Sequence, residues 1–239
     1  MQTPLATRIR LKIKRIFREL RETPAERDFR RQWWPSIDSV EGWLLPEEGK
    51  WLFKIARSLP SEATLVEIGS YKGRSTCCLA LGCGASKKKV FAIDTFDGGP
   101  NLPKANSLPD FEANLARLGV AGSVESIVAL STEAARTWGK PIDFLFVDGS
   151  HLIDDVLADF AGFFPYVVPG GIVAFHDVRN PTWPGVGEAW RKSIQPQLTN
   201  TGYCESLGYG RKPFGVLGSS RLLLSSLRHA VQRRIFGQS

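Results

Sequence analysis

The stretch VEIGSYKGRST, residues 66–76, joins a run of apolar residues to a turn that contains two glycines. Valine and isoleucine favour a buried strand, and the residues after Gly73 favour a helix that starts near Ser75. Glycine at 69 and 73 lets the backbone turn sharply and approach a bound ligand closely. The free N–H groups at a helix start can bind a carboxylate or a phosphate. The stretch therefore predicts a strand, a ligand-binding turn and a helix, in that order.

The spacing of the glycines argues against two common nucleotide-binding loops. A dinucleotide-binding loop needs glycine two positions after the first, where this chain has Tyr71, and a P-loop needs Gly-Lys followed by Ser or Thr. Asp94 ends a second predicted strand, 21 residues after Gly73, where a carboxylate would accept both ribose hydroxyls of a nucleoside. The alternative is that Asp94 caps the turn at residues 97–99.

Strand and helix patterns alternate through the centre of the chain. The predicted strands are residues 64–69, 89–94, 124–130, 142–147 and 171–176, and the predicted helices lie near 73–83, 108–118, 131–138 and 153–164. This rhythm predicts a doubly wound α/β fold, in which a mostly parallel sheet has helices on both faces.

The flanking parts of the chain have different patterns. A loop with Trp33, Trp34 and Pro35 is followed by a predicted helix over 47–58. After a helix over 185–195, residues 201–207 and 214–218 predict two strands joined by a turn at 208–213, and thus an antiparallel hairpin that completes a seven-stranded sheet. The expected organisation is an N-terminal segment, 1–60, with a basic amphipathic helix at 5–21; a domain at 61–220; and a basic C-terminal helix at 221–239.

Composition and charge exclude several classes of protein. The chain has 239 residues, 43% hydrophobic and 23% charged, which is typical of a soluble globular protein. Residues 1–31 carry +6 and residues 220–239 carry +4, which leaves −3 for the centre and argues against nucleic-acid binding there. No apolar run long enough to span a membrane and no secretory signal are found, and the cysteines lack paired spacing, so we expect a cytoplasmic protein with reduced thiols.

A second group of polar residues follows the fourth and fifth predicted strands. Asp148 ends the strand at 142–147, and His176 and Asp177 end the next strand, so the three should meet beside the glycine turn. Two carboxylates and an imidazole suit Mg²⁺ or Mn²⁺, which would lower the pKa of a hydroxyl of a bound substrate. His151 would then accept the proton as a general base. The alternative is that both aspartates cap turns and both histidines are structural.

Five segments together carry a family resemblance: VEIGSYKGRST, FAIDTFDG, IDFLFVDGSHLIDDVLADF, VVPGGIVAFHDV and PGVGEAW, all within residues 62–190. The chain resembles the class I methyltransferase family that contains the macrocin-type sugar O-methyltransferases and uses S-adenosylmethionine (SAM). The resemblance implies a parallel sheet that ends in a hairpin, and the adenine of the cofactor near residues 129–131. The predicted cofactor-binding residues are Glu67, Gly69, Ser70, Tyr71, Gly73, Ser75, Asp94, Thr95, Ser131 and Asp148.

For the chemical half of the site, the resemblance implies that Asp148 and Asp177 bind the metal and that His151 is the base. His176 stands where the related catechol-type enzymes have an aspartate, and it is the third predicted ligand. The acceptor would be a hydroxyl of a sugar, a glycoside or another polyhydroxylated metabolite. Trp33, Trp34, Trp43 and Trp183 could stack on a sugar ring or pack in the core.

Two other functions stay open. One is a methyltransferase without metal, in which His151 alone acts as the base. The other is a non-catalytic protein of this fold, whose basic ends serve assembly or membrane tethering. The helix at 5–21 could contact an anionic membrane, or it could pack on the domain or on a second subunit of a homo-oligomer.

Overall fold

Five parallel strands form the centre of the computed structural model, which describes residues 22–98 and 106–215. They are β1 (Thr64–Ile68), β2 (Lys89–Asp94), β3 (Val124–Val128), β4 (Ile142–Val147) and β5 (Val167–Phe175). Two further strands, β6 (Thr199–Cys204) and β7 (Leu207–Arg211), complete a sheet of order β3-β2-β1-β4-β5-β7-β6. Strand β7 is antiparallel to both of its neighbours, which confirms the predicted seven-stranded sheet with a terminal hairpin.

Helices cover both faces of this sheet. In chain order they are α1 (Pro24–Asp28), α2 (Trp34–Asp38), α3 (Pro46–Ser58), α4 (Arg74–Cys83), α5 (Leu108–Arg117), α6 (Ser131–Thr137), α7 (Ile153–Phe163) and α8 (Pro184–Ala189). A wider π-helical turn joins α1 to α2 at Phe29–Trp33, and a second one, Trp190–Ile194, extends α8.

The predicted loop around Trp33 and Trp34 is wrong, because the chain is helical there. Thr23 and Glu26 form a reciprocal capping box that starts α1. Pro35 lies in the first turn of α2, where its missing N–H is tolerated.

Alternating side chains of the central strands supply two separate hydrophobic cores. Phe144 and Phe146 of β4 point into the core shared with α3 and α4, whereas Leu145 and Val147 point into the core shared with α7 and α8. Burial on both faces explains why these strands are continuous apolar runs. All four cysteines are free, as predicted.

The second strand of the hairpin lies earlier than the predicted 214–218: residues 214–215 are not in a strand, and 216–218 lie outside the described residues. Strand β7 is Leu207–Arg211, and the turn lies at residues 205–206, where Glu205 has a φ of +52°. Gly208 and Gly210 lie inside β7 and not in the turn. A Cβ at Gly208 would be 2.9 Å from the Trp190 indole, and one at Gly210 would be 2.9 Å from Leu198. Both glycines are therefore required by packing and not by turn formation.

Both predicted basic helices, at 5–21 and 221–239, lie outside the described residues. The division into segments 1–60, 61–220 and 221–239 therefore stays a prediction. Within the described part of the chain, no helix is long and apolar enough to span a bilayer.

Candidate functional site

The glycine turn predicted from the sequence links β1 to α4 and contacts the end of β4. Gly69 and Gly73 have φ values of +83° and +87°, which side chains rarely adopt. A Cβ at Gly69 would lie 2.3 Å from the carbonyl oxygen of Asp148. This close approach of two backbones places the glycine turn directly beside the polar residues that follow β4.

Asp94 shapes this turn through hydrogen bonds to its backbone. Its Oδ2 atom accepts hydrogen bonds from the N–H groups of Ser70, at 2.7 Å, and Tyr71, at 2.8 Å. Its Oδ1 atom accepts one from the N–H of Phe96, at 2.7 Å, so Asp94 also caps the turn after β2. Three of about four acceptor positions of the carboxylate are thereby used, which leaves one for a ligand hydroxyl. Thr95, on the same turn, donates to Asp97 at 2.6 Å.

Glu67, at the end of β1, is a fully buried carboxyl group. Its Oε2 atom accepts hydrogen bonds from the hydroxyls of Thr76 and Ser70, the latter at 2.9 Å. Burial raises the pKa of Glu67 to about 7, against the opposing effect of hydrogen bonds from Thr76, Ser75 and Ser70. Its Oε1 atom has no hydrogen-bond partner among the described residues. Because an unpaired buried acceptor is costly, a donor from a bound ligand would be stabilising here.

Ser131 leads to an acidic residue that the sequence analysis missed. Its hydroxyl donates a hydrogen bond to Asp159 of α7. Asp159 is buried, and burial raises its pKa to about 7. A Cβ at Gly149 would lie 3.6 Å from Asp159 Oδ2, so this carboxyl lies under the segment that follows β4. A single acidic residue at a buried position of the apolar helix α7 is the signal that could have identified it.

The residues that follow β4 and β5 come together as predicted. His151 Nε2 lies 3.0 Å from Asp177 Oδ2. His176 Nδ1 lies 3.1 Å from Asp148 Oδ1 and 3.3 Å from Asp177 Oδ2. We call these four residues the acid–histidine cluster. The cluster residues Asp148, His151 and His176 line a pocket with Val147, Gly149, Ser150, Val156, Phe175 and Val186.

A fifth member of this network, Glu48 of α3, was not found from the sequence. Its Oε2 atom lies 3.2 Å from His176 Nε2. Burial alone would lower the pKa of His176, but the three surrounding carboxylates hold it well above its usual value. Burial likewise would raise the pKa of Glu48, and its hydrogen bond with His176 lowers it overall. These carboxylates favour the protonated form of His176, in which both ring nitrogens donate.

Three residues of the cluster could hold a metal ion. Asp148, His151 and Asp177 each offer one ligand atom, and these atoms lie within 4.8 Å of one another. Two carboxylates and one imidazole fit a divalent cation such as Mg²⁺ or Mn²⁺. His176, the third ligand predicted from the sequence, would first have to give up a carboxylate partner. The role of His176 as a ligand stays a prediction. The histidine whose ring nitrogen lies together with the two aspartates as a possible ligand is His151.

The sheet order and the terminal hairpin give the Rossmann-like fold that solved methyltransferases also have. Residues 66–178 match the family described as "Methyltransferase domain". Through this segment the chain is similar to that family.

Known proteins are similar to this chain in sequence or in fold. The chain is 41% identical over 56 residues to demethylmacrocin O-methyltransferase of Streptomyces fradiae, which is 23% of this chain and 14% of that protein. In three other relatives the aligned part is between 13% and 60% of the relative's length. The chain thus spans only part of the curated relatives that it matches.

Two solved structures illustrate the likeness of the fold. The O-methyltransferase from Bacillus cereus in complex with SAH has a TM-score of 0.56 and 17% identity, with 81% of this chain and 93% of that chain covered. CalS11, a TDP-rhamnose 3'-O-methyltransferase of calicheamicin biosynthesis, has a TM-score of 0.53 and 18% identity, with 88% and 96% covered. At these identities the likeness establishes the fold alone.

Proposed function

We propose that this protein is a SAM-dependent O-methyltransferase that acts on a hydroxyl of a sugar or another small polyhydroxylated molecule in the cytoplasm. The observation that carries the proposal is the contact between Gly69 and Asp148. It brings a turn suited to the cofactor against a cluster suited to deprotonate a hydroxyl. Neither half alone would support methyl transfer, because the donor methyl and the acceptor oxygen must lie in contact.

The cofactor half rests on the turn and on two carboxyl groups. Asp94 holds the turn and keeps one acceptor position for a ribose hydroxyl, and Glu67 offers its unpaired oxygen to a donor of the methionine part. The similar fold of the Bacillus cereus O-methyltransferase was solved with SAH, the product of SAM. These points support SAM as the cofactor.

The chemical step would use His151 and Asp177. Asp177 accepts a hydrogen bond from His151 Nε2–H, which directs the second ring nitrogen toward an acceptor hydroxyl. As the hydroxyl oxygen forms its bond to the methyl carbon, the C–S bond of SAM breaks and its electron pair stays on sulfur. The hydroxyl proton passes to His151, and the products are the methyl ether and SAH.

A divalent metal is part of the proposal, with Asp148 and Asp177 as the residues that would hold it. When bound, such a cation lowers the pKa of the acceptor hydroxyl. His151 completes the possible ligand set, but one nitrogen cannot bind a metal and accept a proton at the same time. A metal-independent reaction is the second candidate, because the charge of His176 already faces Asp148 and Asp177.

The sugar acceptor is inferred from the activities that the names of two similar proteins state. CalS11 is a TDP-rhamnose 3'-O-methyltransferase, and demethylmacrocin O-methyltransferase is 41% identical to this chain over a short segment. A homo-oligomer and a membrane contact through residues 5–21 stay predictions without further support.

A methyl-transfer assay tests the proposal. Purified protein is incubated with SAM labelled in its methyl group and with TDP-rhamnose or catechol, in Mg²⁺ or in EDTA. Transfer that is lost in His151→Ala and kept in Asp143→Asn would support the proposal, since Asp143 lies at the opposite end of β4. Transfer in EDTA equal to that in Mg²⁺ would select the metal-independent mechanism. SAH binding without transfer to any hydroxylated acceptor would favour the non-catalytic alternative.

A further inference from the structure

The segment at residues 38–45 is tied to the start of α4. The guanidinium of Arg74 donates hydrogen bonds to the carbonyl oxygens of Val40, at 3.1 Å, and Gly42, at 3.0 Å, and it forms an ion pair with Asp38. Charged hydrogen bonds of this kind are among the stronger ones in proteins. One side chain therefore holds three positions of this segment beside the glycine turn.

Glu41 adds a second attachment, directly to the glycine turn. Its carboxylate accepts a hydrogen bond from the hydroxyl of Tyr71 at 2.7 Å and one from Lys72 Nζ at 2.7 Å. Tyr71 has a φ of +46°, and its side chain leaves the turn toward Glu41. The aromatic ring of Tyr71 is thus fixed against this segment.

The other end of the segment reaches the acid–histidine cluster. The N–H of Leu45 donates to Glu48 Oε2 at 2.9 Å, and the same oxygen lies 3.2 Å from His176 Nε2. Trp43 is two residues before Leu45, so their Cα atoms are at most about 7 Å apart. Trp43 is therefore on the short segment that connects Glu41, which is paired with Tyr71 and Lys72, to Leu45, which is hydrogen-bonded to Glu48.

Trp43 is also the most exposed tryptophan of the described residues. It is 66% exposed, and its indole stacks on the ring of Tyr71 with 5.8 Å between centroids. Leu45 and Leu152, which lie at the cluster, are 48% and 56% exposed. One exposed apolar side chain is ordinary, but three on the two segments next to Glu48 and His151 favour a binding surface.

The other tryptophans predicted to stack on a sugar are engaged elsewhere. The Arg74 guanidinium lies 5.3 Å from the centroid of Trp34, which packs in the core. Trp183 stacks on His151, with 4.3 Å between centroids. Trp33 is 36% exposed in the turn between α1 and α2, and no contact of the described residues links it to the cluster.

We propose that Trp43 is the stacking platform for the acceptor and that it binds the apolar face of a glycosyl ring. This inference rests on the proposed function and names the part of the site that selects the substrate. The C–H face of a pyranose packs on an indole, while its hydroxyls remain free to hydrogen-bond with Asp148 and His151. Tyr71 supports the indole from behind and limits its motion.

Saturation-transfer NMR on the full chain loaded with SAH tests this assignment, with methyl α-L-rhamnoside and catechol as probes. We expect saturation of the ring protons of the glycoside in the native protein, and a loss of about fivefold to tenfold in Trp43→Ala. Trp43→Phe should retain most of the signal, and Trp33→Ala, the matched control, all of it. SAH affinity should be unchanged in each variant.

Three results would overturn the proposal. They are equal saturation in Trp43→Ala, no saturation of the glycoside in SAH-loaded native protein, and saturation of catechol alone. Failure of the native protein to bind SAH is a different result, because it contradicts the proposed function itself.

Discussion

The carboxylate of Glu48 lies 3.2 Å from His176 Nε2, although 128 residues separate the two in the chain. Both side chains are buried, and Glu48 Oε1 also accepts hydrogen bonds from the N–H and hydroxyl of Ser206, at 2.9 and 2.7 Å. One carboxylate thus joins α3, the end of β5 and the turn of the hairpin. Helix α3, which precedes the matched segment 66–178, is therefore part of the site.

Removing the charge of Glu48 should destabilise the protein strongly. In Glu48→Gln the imidazolium of His176 loses a buried partner, and breaking such a pair costs about 3–5 kcal/mol. Urea unfolding at pH 7 measures the change. Glu188→Gln is the control, because Glu188 pairs with Lys192 at the surface and its loss should have no measurable effect. Equal stabilities for the two variants would contradict the assigned network.

The strands and the two aspartates were predictable because each is local in the sequence. The apolar runs at 64–68, 89–94 and 142–147 appear directly as β1, β2 and β4. Asp148 and Asp177 follow strands, so their convergence needed only the rule for parallel sheets. Glu48 was not predictable in this way, because nothing near it in the sequence indicates that it pairs with His176. The position of β7 was missed because Gly208 and Gly210 were interpreted as turn residues.

The buried carboxyl of Glu67 makes stability depend on pH. Its pKa is raised from 4.5 to about 7, so the folded state binds the proton more tightly than the unfolded state. The resulting stabilisation is full below pH 4.5 and is lost as the pH rises through 7. At about 1.4 kcal/mol per pKa unit, the loss amounts to about 3 kcal/mol.

Glu67→Gln should remove this dependence in the protein without ligand. The free energy of unfolding of the variant minus that of the native protein should become more positive by about 3 kcal/mol between pH 4.5 and pH 8. Urea unfolding at several pH values gives this difference. The pH dependence contributed by Asp159 is the same in both proteins and therefore cancels. A difference that stays constant with pH would mean that burial does not raise the pKa of Glu67.

The contact between the glycine turn and β4 can be tested with two alanine variants. In Gly69→Ala the new Cβ would meet the carbonyl oxygen of Asp148 at 2.3 Å, whereas at Gly84, with a φ of +58°, it would meet nothing within 4 Å. Gly84→Ala should cost only the backbone strain of about 1–2 kcal/mol. Gly69→Ala should cost more and should also abolish SAH binding. The measurements are thermal unfolding and calorimetry, and similar behaviour of the two variants would refute the close approach.

Asp177→Asn should slow methyl transfer by about 10²–10⁴-fold with little change in SAH affinity, because His151 loses the carboxylate that orients it. The labelled-SAM assay measures the rate, with Asp143→Asn as the control. A variant with nearly native activity would exclude Asp177 from the chemistry. Because Asp177 acts through His151 as well, this variant does not isolate a metal, which is better measured by Mn²⁺ titration.

The division of roles among the histidines also depended on the structure. Sequence patterns place His151 and His176 at the same edge of the sheet, and they do not distinguish a base from a buried cation. The distinction follows from neighbours distant in the chain. His176 lies among Glu48, Asp148 and Asp177, whereas His151 stacks on Trp183 and lies 3.0 Å from Asp177.

Calorimetric titration with SAH, in the native protein and in Asp94→Ala, tests the central claim most directly. Asp94 holds the glycine turn by accepting hydrogen bonds from two backbone N–H groups. Asp143, at the opposite end of the central strands, accepts a hydrogen bond from the N–H of Thr64 and serves as the control. We expect micromolar SAH binding that is kept in Asp143→Ala, and an affinity about 100-fold or more weaker in Asp94→Ala. No binding by the native protein, or equal binding by both variants, would contradict the cofactor site.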